Sequence, residues 1–201
     1  MLGLVWFFVA AFAESPQNGD IIFHTSQSSQ SIAVQKGTQS PYSHVGIIVI
    51  RKGKTKVLEA SRTVRLVDLK TWIKRGKNQE YTLMRAKETL SDDQQKKMRA
   101  IGNRLYGKAY DLKFAWSDDQ IYCSELVWKI YKEGAGIELI PPQNMDQYNF
   151  TDPAIKKELE RRWKGSVNWK EPVVAPSDLA ASPILKIVES TYSTNPKEHA
   201  K

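Results

Sequence analysis

Six consecutive apolar residues, VGIIVI at positions 45–50, constrain the fold more than any other part of the sequence. A short run of this kind, rich in β-branched side chains, predicts a strand that is buried on both faces. The charged residues 51–54 follow as a turn, with Gly53 where a positive φ is favourable, and residues 55–60 predict the returning strand. We therefore expect a hairpin at the centre of the fold, with protein packed on both of its sides.

The remaining predicted elements place strands before helices along the chain. Ser91 and Gln94 form a capping-box pattern at the start of one helix, and Gly107 follows its end. The polar residues 25–40 predict either a short helix or a long active-site loop. Further strands are expected at residues 20–24, 63–67 and 81–85, a short helix at 69–74, and longer helices at 124–133 and 154–163. This order indicates an α+β domain in which an antiparallel sheet or barrel packs against helices.

The first thirteen residues carry no charge and end in the small-x-small triplet AFA. This pattern predicts a secretory signal peptide, because a bilayer span needs about 20 apolar residues. The absence of Lys or Arg before the apolar run departs from the usual signal, and a buried N-terminal strand or helix is the alternative. We expect a signal peptide at residues 1–13, one domain at 14–190 and a polar tail at 191–201, in a protein exported to a bacterial periplasm.

Composition excludes several classes of protein and of site. Lys and Arg total 30 and Asp and Glu total 22, a formal net charge of +8, while 41% of residues are hydrophobic. These values suit a folded domain and suit contact with an anionic envelope surface, but the aromatic residues are not interleaved with cations as in nucleic-acid-binding proteins. The single cysteine excludes a disulfide framework and cysteine-rich zinc sites. No phosphate loop, zinc-protease helix or dinucleotide motif occurs, so we expect no metal and no cofactor.

The single cysteine, Cys123, lies where the acidic segment 117–120 meets the predicted helix 124–133. The first turn of a helix presents unpaired N–H groups and a partial positive charge, and both lower the pKa of a thiol. The same N–H groups can stabilise an oxyanion that forms beside the sulfur. Cys123 is therefore a candidate nucleophile, and the alternative is an inert structural cysteine.

The pairing of strands in the central hairpin indicates which histidine and which carboxylate could act with this nucleophile. His44 lies at the start of strand 45–50, and pairing that strand with 55–60 gives opposed residues whose numbers sum to 105. Glu59 is then opposite Gly46 and diagonal to His44 on the same face, within reach of a long side chain. A carboxylate in that position can orient an imidazole base. The alternative is that Glu59 is a solvated strand residue.

These residues belong to an ordered set of motifs that resembles a known family. The set comprises GDIIF at 19–23, YSHVG at 42–46, Glu59-Ala60, GKAYD at 107–111 and YCSE at 122–125. It resembles the YiiX/YaeF group of permuted papain-like cysteine hydrolases, peptidases of C92 type in the NlpC/P60 superfamily, and the similarity runs from about residue 19 to 176. The resemblance implies a circularly permuted papain-like fold, because His44 and Glu59 precede Cys123 here.

The resemblance also implies a role for each site residue. Cys123 would be the nucleophile, His44 the base and Glu59 the residue that orients it. N–H groups at the helix start, from Ser124 onward, would hold the oxyanion. Three tyrosines are further candidate donors in the cleft, with plain packing in the core as the alternative for each: Tyr122, Tyr110 and Tyr42.

Three functions are compatible with this site. The first is cleavage of an amide bond in a peptide, amino-acid or cell-wall-like substrate through an acyl-enzyme. The second is a lipid-directed thioesterase, phospholipase or acyltransferase with the same triad, docked on an anionic membrane through a basic helix that carries Lys156, Lys157, Arg161 and Arg162. Lipid-acting proteins of the permuted branch usually have a second His in place of Glu59 and an Asn in place of Tyr122, which favours the YiiX/YaeF group but does not settle the substrate. The third is a non-catalytic envelope-binding protein.

Overall fold

A computed structural model describes residues 14–28 and 30–193. The expected signal peptide at residues 1–13 and most of the expected tail lie outside the described residues. The fold contains a six-stranded sheet with the strand order β4-β3-β2-β1-β5-β8, in which every pair is antiparallel. Its strands are β1 Ile21–His24, β2 His44–Arg51, β3 Lys54–Ala60, β4 Val64–Asp68, β5 Thr82–Ala86 and β8 Leu185–Ser190, and the short strands β6 Gln143–Asn144 and β7 Pro172–Val173 pair separately.

The described residues form six α-helices besides this sheet. They are α1 Ser31–Thr38, α2 Leu69–Lys74, α3 Asp92–Leu105, α4 Cys123–Lys129, α5 Pro153–Arg162 and α6 Pro176–Ala181. The predicted α+β class, with an antiparallel sheet packed against helices, is confirmed. In the described part of the chain, no helix is long and apolar enough to cross a membrane.

The central hairpin has the predicted register. Ile47 pairs with Leu58, and all the β2–β3 pairs have numbers that sum to 105. The turn between them has two residues, Lys52 and Gly53, with φ values of 49° and 69°. Two successive positive φ values match the twist of the flanking strands, which keeps the two-residue turn tight and fixes the register.

The hairpin is covered on both faces, as its apolar run predicts. On one face, residues such as Val45 and Ile47 pack with side chains of α3 and α4, including Met98 and Leu126. On the other face, Ile48 and neighbouring strand residues pack with Trp72 of α2. The start of β2 is therefore held rigidly, and so is the N-terminus of α4 that packs against it.

The prediction of one regular helix at residues 124–133 is wrong in detail. The α-helix begins one residue earlier, at Cys123, and after Lys129 it continues as a π-helical segment, Ile130–Ala135. Gly134, the residue directly after the predicted helix, lies inside this segment, and a Cβ there would come within 2.6 Å of Met98 Cα. A glycine is needed because the backbone of α3 passes so close. Val127, Ile130 and Tyr131 have the i, i+3, i+4 spacing of an ordinary α-helix, so the sequence pattern does not reveal the change.

The C-terminal strand β8 was not predicted, and neither was α6. β8 carries charged residues among its apolar ones and joins the sheet edge beside β5. Beyond it, Thr191 donates a backbone hydrogen bond to Tyr81 O, and the Tyr192 hydroxyl accepts one from the Thr25 backbone N–H at 2.9 Å. These two residues of the expected tail therefore pack on the domain.

Candidate active site

Cys123 is the first residue of α4, and its side chain is buried. Burial alone would raise the pKa of the thiol, but the hydrogen bond and charge of His44 lower it, and so do hydrogen bonds from the Val45 backbone N–H and from Ser124. The net effect is a thiol pKa below its usual value. Val45 belongs to β2, so the contact between β2 and the start of α4 creates a local environment that favours the thiolate.

His44 begins β2 and lies between Cys123 and Glu59. Its Nε2 is 2.8 Å from Glu59 Oε2, and only 12% of its side chain is exposed. Burial would lower the pKa of the imidazole, but hydrogen bonds and charge interactions with Cys123 and Glu59 raise it to about 9. Since Nε2 is occupied by Glu59, Nδ1 is the nitrogen left to exchange a proton with Cys123.

Glu59 is completely buried, and its carboxylate accepts hydrogen bonds from the side chains of three residues, His44, Arg65 and Arg75. Arg65 donates through Nε at 3.1 Å and Arg75 through Nη2 at 2.7 Å. Burial would raise the pKa of this carboxyl, but His44 and then Arg75 lower it far below its usual range. The carboxylate is therefore ionised at every pH at which the folded protein would be assayed.

Gly46 provides the space for this arrangement. A Cβ at this position would lie 2.4 Å from Val57 Cγ1 and 2.9 Å from Leu58 O on the neighbouring strand. Such distances are well inside van der Waals contact, so any side chain there would push β2 and β3 apart. The diagonal contact between His44 and Glu59 depends on those two strands staying close.

A second histidine supports the ring of His44 from behind. His24 stacks on Trp72 with ring centroids 3.9 Å apart, and its centroid lies 5.2 Å from that of His44. Burial, and then the positive charges of His44 and Arg75, lower the pKa of His24 to about 2. His24 therefore stays neutral while its neighbour carries a proton.

The remaining predicted residues divide into two groups. Tyr110, Tyr122 and Ser124 line the cavity beside Cys123, and Ser124 donates to its sulfur. Burial and then the charge of Cys123 raise the pKa of Tyr110 well above its usual value, which keeps this phenol protonated. Tyr42, in contrast, is buried away from this cavity, and its hydroxyl donates to Thr82 Oγ1 at 2.7 Å.

The cleft has two halves that meet beside Cys123 and His44. The half that contains Cys123 is a cavity of about 90 Å³ with mostly apolar walls, while the half that contains His44 is a recess of about 910 Å³, and both are partly open to solvent. Four residues line both halves and mark their junction: Gln30, Val34, Ser43 and Tyr110. Among the described residues, the buried side-chain nitrogen of Gln30 has no hydrogen-bond partner there.

Three residues of the site were missed at the sequence level. Arg65 is directly opposite Glu59 in the β3–β4 pair, so extending the predicted pairing by one strand would have found it. Arg75 follows α2, and Gln30 precedes α1. No local pattern points to these last two, because only the packing of their helices brings them to the cleft.

A comparison with protein families explains why these residues occur together. Residues 15–189 match the model of a family described as permuted papain-like amidases, YaeF/YiiX, family C92.

The chain belongs to the C92 family of permuted papain-like amidases.

Relatives from Escherichia coli support this assignment along nearly the whole chain. The protein YiiX of strain K12 is 41% identical over 184 residues, which cover 92% of this chain and 91% of that protein. A crystal structure described as the metalloprotein YiiX of strain O157:H7 superposes with a TM-score of 0.84 at 39% identity, covering 88% of this chain and 98% of that one. The predicted family, its permuted papain-like fold and the enzyme class of cysteine amidase or peptidase are thereby confirmed.

Proposed function

We propose that this C92 amidase cleaves its amide through a thioester on Cys123, with His44 as the proton carrier and Glu59 as the residue that orients and charges His44. The observation that carries the proposal is the chain of contacts from Glu59 through His44 to Cys123. It raises the pKa of the imidazole to about 9 and lowers that of the thiol. At neutral pH the pair therefore rests as a thiolate and an imidazolium.

The reaction follows from this resting state. The Cys123 thiolate attacks the amide carbonyl and forms an S–C bond, and the carbonyl oxygen becomes an oxyanion. His44 gives its Nδ1 proton to the amide nitrogen as the C–N bond breaks, and the amine leaves. Neutral His44 then takes a proton from water, whose oxygen attacks the thioester and releases the acid. Glu59 keeps Nε2 hydrogen-bonded throughout, so the ring does not rotate between the two steps.

Gln30 supports this mechanism as a donor to the oxyanion. Its buried side-chain nitrogen has no partner in the described structure, and it lies at the junction between the halves of the cleft. A buried donor without a partner costs free energy unless a ligand completes its hydrogen bond. We assign the second oxyanion donor to the backbone N–H groups at the start of α4, from Ser124 onward.

The volume of the apolar half bears on the choice between amide and lipid substrates. At about 90 Å³ the cavity beside Cys123 is smaller than the roughly 150 Å³ space that accepts benzene in an engineered protein. Its apolar walls suit an aliphatic acyl group, which is compatible with the lipid-directed alternative. Its volume, however, suits a short acyl chain rather than a long one. We therefore place a short apolar acyl group in this half.

The description of the O157:H7 relative as a metalloprotein raises the question of a metal ion here. Across residues 14–28 and 30–193, no group of three or more His, Cys, Asp and Glu side chains is arranged to hold one. Both Glu59 oxygens already accept hydrogen bonds from His44, Arg65 and Arg75. The donor set does not fit a resident metal ion, and no step of the proposed reaction uses one.

We place this reaction outside the cytoplasm, on the strength of the uncharged N-terminal run and the net charge of +8. Fractionation of cells that express the full chain, with N-terminal sequencing of the product, tests this location. Recovery in the periplasmic fraction with a new N-terminus near residue 14 is the expected result. A full-length cytoplasmic product would contradict it.

The acyl-enzyme itself is the direct test of the proposed function. Purified protein mixed with p-nitrophenyl butyrate at low pH should gain the mass of one butyryl group, located on the peptide that contains Cys123, and release an initial burst of nitrophenol. Cys123→Ser should show neither. His44→Ala should lose turnover and keep its far-UV circular dichroism. Hydrolysis that persists in Cys123→Ser would overturn the proposal.

A further inference from the structure

The direction of the reaction assigns a different part of the substrate to each half of the cleft. In the proposed mechanism the acyl carbon bonds to Cys123 Sγ, and the leaving nitrogen receives the proton of His44. Cys123 lines the apolar half and His44 lines the recess. The acyl group therefore occupies the apolar half, and the departing amine occupies the recess.

The recess that receives the amine is strongly cationic. Arg62, Lys74 and Arg75 line it, and no Asp or Glu is among its lining residues. Within the described part of the chain, Arg62 and Lys74 make no ion pair. Unpaired cations that line a concave surface focus their field into it and attract anions.

Arg75 links this recess to the catalytic residues. One of its terminal nitrogens donates to Glu59 at 2.7 Å, while its Nε is buried without a partner in the described structure. The Glu59 carboxylate already serves His44, Arg65 and Arg75, so it neutralises only part of the surrounding positive charge. The recess thus keeps an excess of positive charge beside the point where the amine departs.

We propose that the amine released by this enzyme carries an anionic group, which Arg62, Lys74 and Arg75 bind in the recess. The inference rests on the proposed function, because it takes the direction of the reaction from it. The substrate class is then a short acyl group joined through an amide to an amine with a carboxylate or a phosphate. Cleavage by one water gives the free acid and the anionic amine, whose nitrogen has gained its proton from His44.

A set of amides with one acyl group tests the proposal. N-butyrylglycine, N-butyrylglycinamide and N-butyryl-phosphoethanolamine differ only in the leaving amine, which carries a carboxylate, no charge or a phosphate. We expect kcat/KM for at least one anionic amide to exceed that for glycinamide about tenfold or more, with the excess falling at high salt. Comparison of N-butyrylglycine with N-butyryl-phosphoethanolamine shows whether the released amine is an amino acid or a phosphorylated amine.

Variants locate the preference in the recess. Arg62→Gln and Lys74→Gln should each reduce the ratio of kcat/KM between anionic and neutral amides, and the double variant should bring it close to one. Lys70→Gln is the matched control, because Lys70 is exposed on the same helix as Lys74 but does not line the recess. It should keep the wild-type ratio.

The outcomes separate this inference from the proposed function. p-Nitrophenyl butyrate carries no charged group that the cationic recess could bind, so acylation of Cys123 by this ester reports on the triad alone. If the ester acylates Cys123 while the amides are cleaved equally, or none is cleaved, the proposed leaving group is wrong and the triad stands. If the ester does not acylate Cys123, the proposed function itself fails.

Discussion

Glu59 Oε2 lies 2.8 Å from His44 Nε2, in a pair of residues that the β2–β3 register places diagonally across one face of the sheet. The carboxylate is ionised, so it accepts this hydrogen bond and His44 donates it. The contact fixes which ring nitrogen works with Cys123, and it raises the proton affinity of that nitrogen. In the proposed mechanism, two residues fifteen positions apart thus set the chemistry of a third that comes much later in the chain.

Glu59→Gln should therefore lower kcat by roughly 10²- to 10⁴-fold, because the ring loses its preferred tautomer and its charge partner. The pKa of His44 should fall at the same time, and this shift is measurable by NMR titration of the ring. Glu138→Gln, an exposed carboxylate that pairs with Lys132 on the surface, is the control and should change neither quantity. A Glu59→Gln enzyme with a normal His44 pKa would contradict this role.

The pH dependence of alkylation and of turnover should differ at the alkaline end. The thiol pKa is lowered, so iodoacetamide should label Cys123 well below pH 8.5, the usual thiol value. Turnover also needs the proton on His44, and kcat for an amide should fall as the pH rises through about 9 while labelling stays fast. In His44→Ala, labelling should require a higher pH than in the wild type, since burial then raises the thiol pKa without this opposing cation. Identical labelling profiles for the two proteins would disprove the ion pair.

Gln30→Ala should reduce kcat by roughly 10²- to 10³-fold, the usual cost of losing one oxyanion donor. Alkylation of Cys123 by iodoacetamide passes through no oxyanion, so its rate should stay unchanged in this variant. That second measurement separates a donor from a residue that merely holds the cleft in shape. A parallel loss of alkylation and turnover would indicate the structural role.

Acyl-chain length should affect kcat/KM steeply, because the apolar cavity has only about 90 Å³. Among p-nitrophenyl esters, butyrate should be preferred over decanoate and palmitate. Phe150 lines this cavity, and Phe150→Ala should move the optimum to longer chains without changing the rate of iodoacetamide labelling. A wild-type preference for palmitate would instead support the lipid-directed alternative.

Lys129→Met should lower the free energy of unfolding by about 1–3 kcal/mol, because it leaves the buried Glu125 carboxyl without its partner and also removes the contact of Lys129 with Asp118. Lys129 Nζ lies 2.8 Å from the fully buried Glu125 carboxylate, and burial raises the pKa of that carboxyl to about 7 despite the lysine. Urea unfolding at pH 7.5 measures the loss.

The pH dependence of stability gives an independent check on this pair. The folded pKa of Glu125 lies above the ordinary value, so the folded state holds this proton more tightly than the unfolded state does. Its contribution to stability is present below about pH 4.5 and is lost as the pH rises through about 7. Glu125→Gln should remove this decline. An unchanged decline in the variant would mean that another group causes it.

The parts of the site that were predictable are those set by neighbouring residues in the chain. The central hairpin follows from an apolar run, a turn and a return strand, and its register alone places Glu59 beside His44. The start of a helix is likewise signalled by nearby residues, and Cys123 is indeed the first residue of α4. The order of these residues in the chain then pointed to a permuted papain-like family, which the family match confirms.

The parts that were not predictable depend on packing between distant elements. Arg75 and Gln30 reach the cleft only because α2 and α1 fold against the sheet, and neither position carries a recognisable signal. β8 joins the sheet from the far end of the chain, more than ninety residues after its neighbour β5. Tyr42 shows the converse, since its place in a motif near His44 suggested a cleft residue, whereas its hydroxyl bonds to Thr82.

The presence of only one cysteine has a consequence for exposure to peroxide. The lowered pKa of Cys123 favours the thiolate, which is the form that peroxide converts to a sulfenic acid. A second thiol nearby would trap that acid as a disulfide, but the sequence contains no other cysteine. Repair of the oxidised enzyme therefore depends on a thiol from another molecule, and without one a second molecule of peroxide oxidises the sulfenic acid to the irreversible sulfinic acid.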